Sequence, residues 1–191
     1  MSFQSSDLGF FFTGSGGPGD DRELNLGGAI SATEIVHSEN QNWFPDIPRS
    51  VVGAVGSTGT WAVYAPFYVK NKHDTISVTN VQLTIDHEPS NINLGIQMGF
   101  DAAGVNGTMD TISSITDPPT GVTFSDPIVC TSFFFGHCYQ WSTTVWNVVS
   151  SSNFDPGDYC GLWVKVYGNK GLTSIPSINF QLKCSFVRPA S

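Results

Sequence analysis

Toward the C-terminus, apolar and polar positions alternate with period two: Ile178, Phe180, Leu182, Cys184 and Phe186 interleave with Asn179, Gln181, Lys183 and Ser185. On an extended backbone that spacing puts every second side chain on one face, which predicts a strand with one side in a core and one in water. The same alternation recurs in Val81, Leu83 and Ile85 against Gln82, Thr84 and Asp86, and in Leu94, Ile96, Met98 and Phe100 against Gly95, Gln97 and Gly99. Further strands are predicted at 61–69, 128–135, 139–149 and 159–167, each bounded by Gly, Pro, Asn or Asp clusters. Pro66 falls inside the first of these and has no N–H to give a ladder, so an edge strand or a bulge is expected there. No window holds a 3.6-residue period, and the helices that parallel crossovers need are therefore missing. The expected fold is all-β, an antiparallel β-sandwich or jelly roll of seven or eight strands.

The first 35 residues break this pattern. Gly9, Gly14, Gly16, Gly17, Gly19, Gly27 and Gly28 surround Pro18 and the charged run Asp20 to Glu23, and glycine at that density resists regular structure. The division expected is an extended Gly-rich N-terminal arm over 1–35 and a single β-sandwich domain over 36–191. Two apolar groups stand out in the arm: Phe10, Phe11 and Phe12, then Leu24, Leu26 and Ile30. Disordered tails are poor in aromatics, so these six residues are the expected partner-binding set: Phe10, Phe11 and Phe12 anchor the arm on a neighbouring subunit, and Leu24, Leu26 and Ile30 tie it back to its own domain. The stretch from Gly104 to Asp126, rich in Thr, Ser, Gly and Pro, is the expected surface loop that meets a partner.

Composition narrows the function classes. A chain of 191 residues buries about 70% of its surface around one core. Charged residues are 13% of it, with 8 basic against 16 acidic and a net charge of -8, the wrong sign for gripping a phosphate backbone. No apolar run approaches the roughly 20 residues of a membrane helix. Neither nucleic acid nor membrane is an expected partner. Residues 1–8 carry Asp7 and no Lys or Arg, unlike a secretory signal. The expectation is a chain made in the cytoplasm, with Cys130, Cys138, Cys160 and Cys184 reduced. Asn106-Gly107-Thr108 then reads as a turn and not as a glycosylation site.

The search for chemistry finds none to assign. Gly14-Ser15-Gly16 has the wrong spacing for a nucleophile elbow, and no phosphate-binding glycine motif is present. In His73-Asp74, Asp86-His87-Glu88 and His137-Cys138, immediate neighbours on a strand point to opposite faces, so none of these adjacent pairs forms a metal site alone. Nearly all carboxylates sit at predicted turns, where Asp is a turn former. The expectation is a non-enzyme with no catalytic, cofactor or metal residues. Trp43, Trp61, Trp141, Trp146 and Trp163 could form a sugar-stacking platform, which keeps carbohydrate binding as a second option.

Several short motifs are similar to segments of small structural proteins of tailed bacteriophages. They are Leu26-Gly27-Gly28-Ala29-Ile30-Ser31 with Thr33-Glu34-Ile35, Asn42-Trp43-Phe44 with Asp46-Ile47, and Tyr64 with Phe67-Tyr68-Val69-Lys70-Asn71. The likeness is strongest at Gly104 to Thr108, at Pro119 to Ser125, and at Pro156-Gly157-Asp158-Tyr159 leading to Leu162-Trp163-Val164. The resemblance implies a β-sandwich virion protein that decorates or cements a capsid, or sits at a neck or tail. It also implies partners among other virion proteins, the major capsid protein or neighbouring copies in a homo-oligomer, and localisation in the virion.

Overall fold

The computed structural model describes residues 3–36, 43–87, 94–125, 128–130, 138–140, 153–172 and 181–187. In sequence order the elements are β1 (Leu8–Thr13), β2 (Ile30–Glu34), a four-residue helix α1 (Arg49–Val52), β3 (Thr60–Asn71), β4 (Thr79–His87), β5 (Leu94–Val105), β6 (Ile128–Cys130), β7 (Cys138–Gln140), β8 (Tyr159–Asn169) and β9 (Gln181–Val187). Two short 3-10 turns occupy Ser5–Asp7 and Gly19–Leu24. The described part of the protein is thus nearly all β, as the period-two pattern requires. One sheet has the order β2-β1-β3-β8-β5 and the other β6-β7-β4-β9, with every ladder antiparallel.

The centre of the larger sheet is the β3–β8 ladder, in register from Thr60 opposite Asn169 to Lys70 opposite Tyr159. Trp61, Val63, Ala65, Phe67 and Val69 of β3 join Cys160, Leu162, Val164 and Val166 of β8 in one apolar cluster. Val81 and Leu83 of β4, Val52 of α1, and Phe44 and Ile47 belong to that same cluster. It therefore lies between the larger sheet and β4. The opposite face of the larger sheet carries a second cluster, Tyr64 and Tyr68 from β3, Trp163 from β8, and Met109 and Ile112 from the loop after β5. A sheet covered on both faces leaves no wet side to its central strands, which is why 61–69 and 162–166 read as nearly continuous apolar runs.

The same physics corrects the reading of the N-terminus. Residues 8–13 are a strand, β1, paired with β3 from Leu8 opposite Asn71 to Phe11 opposite Tyr68, and β2 pairs with the other side of β1. Leu8 and Phe10 pack against the first cluster, Phe11 packs against the second, and Phe12 is fully buried. The aromatic triplet has a periodic place in the sheet: adjacent residues serve its two covered faces. Part of the span read as an arm is thereby sheet. Between Phe11 and Thr13 the β1–β2 register shifts, and such a bulge twists an edge strand away from chance pairing.

Pro66 sits in β3, the middle strand of five and not an edge strand of the sheet. Its missing N–H costs nothing because β1 pairs only with 68–71. On that side of β3 the contacts come from elsewhere: the Asn25 side-chain amide donates to the Pro66 carbonyl at 2.7 Å, and the Tyr64 N–H donates to the Ile115 carbonyl at 2.8 Å. Of the predicted strands 128–135 and 139–149, the described residues 128–130 and 139–140 lie in β6 and β7. Phe133 to Phe135, Trp141, Trp146 and Ile178 to Phe180 lie outside the described residues.

Candidate interaction surface

The loop expected to meet a partner begins as an irregularity in β5. From Phe100 to Val105 the strand advances five residues while β8 advances two, from Leu162 to Cys160. Asp101 organises the excess. It is buried, and its two carboxylate oxygens accept from the Trp163 indole N–H at 2.8 Å, the Ala103 N–H at 3.0 Å and the Asp110 N–H at 3.3 Å. A buried carboxylate is tolerable only when its lone pairs are filled in this way.

Beyond it the loop is fixed onto the outer face of the sheet by contacts at intervals. Tyr68 is the main post: its hydroxyl donates to the Gly28 carbonyl at 2.7 Å, lies 3.3 Å from the Gly107 carbonyl, and accepts the Met109 N–H at 2.8 Å. Met109 and Ile112 are buried against Tyr64, Tyr68 and Trp163. The Gly28 N–H donates to the Asp110 carbonyl, and the Ile112 N–H to the Leu26 carbonyl at 2.9 Å. Farther on, Ser125 exchanges two backbone bonds with Met98 of β5. The N-terminal turn is tied in by Asn25, whose side-chain oxygen accepts the Thr13 N–H and hydroxyl, both at 2.8 Å. Gly27 must be glycine, since its φ is +101° and an added Cβ would overlap the Asp110 carbonyl.

Four of the glycine-rich or aromatic segments singled out in the sequence meet at this end of the sheet: 26–28, 67–71, 104–108 and 156–159. Asn71 is fully buried; its amide donates to the carbonyls of Ile76 and Phe154 at 3.0 and 2.9 Å, and its oxygen accepts the His73 N–H. The Asn71 N–H donates to the Asp158 carbonyl. Asn106, at φ +60°, bridges to the same turn through Asp158 and Tyr159. These bonds make Asn106 a turn residue, as its sequence context indicates.

Of the six residues expected to bind a partner, Phe10 and Phe12 are spent on the interior, and Phe11 lies under the Lys70 ammonium, 5.9 Å from its ring centre. Leu26 and Ile30 pack against the second cluster. Leu24, the last residue of the Gly19–Leu24 turn, is 52% exposed. Within 110–117 the exposed residues are Asp110, Thr111, Ser113, Ser114, Thr116 and Asp117. Sequence reasoning named the loop, but it missed Tyr68 and Asp101 as the groups that hold it.

Burial also sets the titration of the posts. Desolvation raises the Tyr68 hydroxyl above its ordinary value, with the Met109 N–H opposing and Asp101 adding to the rise, and it raises Tyr64 likewise. The Cys160 thiol, buried and free, is pushed up to about 12 by desolvation and by the charge of Asp101. On β6 and β7, Cys130 and Cys138 are register partners, and Cys184 on β9 stands opposite Leu83. Among the described residues no group of three His, Cys, Asp or Glu side chains is placed to hold a metal, and no helix is long and apolar enough to cross a membrane.

Of the described tryptophans, Trp61 and Trp163 are buried and Trp43 packs edge-on against Phe44 and Phe67. Another aromatic group lies at the far end of the outer face. There Lys165 donates to the Gln97 side-chain oxygen at 2.8 Å, with its ammonium 4.9 Å from the Tyr167 ring and 5.8 Å from the Phe124 ring.

No known protein family, characterised protein or solved structure matches the chain.

Proposed function

We propose that the chain is a non-enzymatic structural virion protein of a tailed bacteriophage, a decoration or cement protein seated on the major capsid protein or on neighbouring copies of itself. The observation that carries this reading is the loop 106–125, a long segment without regular structure that is nonetheless fastened to the sheet from Gly107 to Ser125. A surface ordered in advance loses little entropy on association, which suits a contact made once during assembly. The charge-poor, acidic composition and the convergence of the phage-like segments on that loop support the same reading. Attachment runs through Leu24 and the exposed rim from Asp110 to Asp117, since Phe10 and Phe12 are occupied within their own subunit.

A neck or tail position is the alternative within this class. Glycan binding is a second reading favoured by one feature, the Tyr167, Phe124, Lys165 and Gln97 group, which sets aromatic rings beside a cation and an amide.

The test is immunogold labelling of purified virions together with two surface variants, Leu24→Glu and Thr116→Arg. Label over the shell, and lost occupancy with unchanged melting in both variants, is the expected result. Full occupancy of both variants overturns the assigned surface, and absence of the protein from virions overturns the function. Label at a tail tip, with polysaccharide binding abolished by Lys165→Ala, establishes the glycan reading instead.

A further inference from the structure

Asn106-Gly107 is the one Asn-Gly pair in the sequence. Such a pair is chemically weak, because glycine leaves the path to its backbone nitrogen open. That nitrogen attacks the carboxamide carbon of the asparagine and forms the new C–N bond of a succinimide; the bond from that carbon to the amide nitrogen breaks and ammonia leaves. Water then opens the ring to aspartate or isoaspartate. The net change is NH2 replaced by OH, with no oxidant or reductant needed.

The fold places this pair at a joint. The Asn106 amide donates to a carboxylate oxygen of Asp158 at 2.7 Å, and its side-chain oxygen accepts the Tyr159 N–H at 3.1 Å. The Asn106 backbone N–H donates to the Tyr159 carbonyl at 2.8 Å, and its carbonyl accepts the Tyr159 hydroxyl at 3.1 Å. The attacking atom is engaged as well, since the Gly107 N–H donates to the Gly104 carbonyl at 3.4 Å. The second oxygen of Asp158 accepts the Asp155 N–H at 2.8 Å, so this carboxylate is itself fixed in place.

We propose that Asn106 is a latent deamidation site, protected while the 104–108 segment is latched on the 155–159 turn and unable to relatch once converted. Protection follows from the geometry: ring closure requires the side chain to leave both of its partners and the Gly107 nitrogen to leave the Gly104 carbonyl. Irreversibility follows from charge. Deamidation exchanges the donor facing Asp158 for a carboxylate, so two negative groups meet where one hydrogen bond stood. The isoaspartyl product also inserts a methylene into the backbone at a position with φ +60°. Opening there reaches the Gly107 carbonyl and the Met109 N–H, the loop's contacts with Tyr68.

The experiment holds the full-length protein at mildly alkaline pH, native and in urea, and follows Asn106 by peptide-mapping mass spectrometry. Conversion is expected to be at least about tenfold slower in the native protein, the factor set by breaking one hydrogen bond to a charged group. Asp158→Ala is expected to raise the native rate and leave the urea rate unchanged. If that variant does not fold, Tyr159→Phe, which deletes only the hydroxyl bond to Asn106, takes its place. In Asn106→Asp, amide exchange over 104–112 is expected to speed up. Equal rates in native protein and urea overturn the protection, and unchanged exchange in Asn106→Asp overturns the failure to relatch.

Discussion

Replacing Tyr68 with Phe removes one oxygen and leaves the ring where it is, so it isolates the polar joint between the N-terminal turn and the loop. The Met109 N–H, whose bond to Tyr68 is buried, loses its acceptor, and the Gly28 carbonyl loses its 2.7 Å donor. An orphaned buried polar group costs about 1 to 3 kcal/mol. Gly28 is half-buried and water can serve it in part, so the sum expected is about 2 to 4 kcal/mol rather than the full range for two groups. For a protein of this length, 1 kcal/mol corresponds to roughly 2 to 4 °C in Tm, so the melt is expected to fall by about 5 to 15 °C. Thermal denaturation followed by circular dichroism reads the stability. Amide exchange at Met109 reads the site, and its protection is expected to drop more than that of Val63 or Val164 in the sheet core. A melt within about 2 °C of the parent, or unchanged protection at Met109, would refute the assignment of Tyr68 as the post.

Gly27→Ala combines a left-handed φ with an overlap onto the Asp110 carbonyl; it is expected to cost more than about 2 kcal/mol in urea titration, and a near-neutral result means the 27–111 bridge does not hold the loop. Alkaline stability follows from Cys160: the unfolded protein releases the thiol proton near 9 and the fold only near 12. Its contribution is therefore complete below pH 9 and is lost as pH rises from 9 to 12, by up to about 4 kcal/mol. Cys160→Ala is expected to flatten that decline relative to the parent in urea melts across the same range, and parallel curves would count against it. Thiol titration in denaturant under alkylating conditions is expected to recover all four cysteines; recovery of two, with Cys130 joined to Cys138, would show that these register partners are oxidised.

Period-two patterning by itself determined most of the strands. Val81 and Leu83, and Ile96 and Met98, needed no tertiary information, because a strand with one covered face displays its alternation in the letters. The lack of a 3.6-residue period likewise argued against long helices. What the letters hid were the places where both faces are covered. Phe10, Phe11 and Phe12 look like a sticky patch on a flexible arm, and only the second cluster above β3 makes Phe11 an outward residue between two inward ones. The joints were hidden for another reason. Tyr68 to Met109, Asp101 to Trp163 and Asn106 to Asp158 are separated by 41, 62 and 52 positions, and a polar pair at that distance leaves no periodic trace in a sequence. Turn chemistry announced a bend at Asn106, but which partner its amide would find was decided by the β5–β8 register, since the bulge after Phe100 delivers Asn106 beside Tyr159.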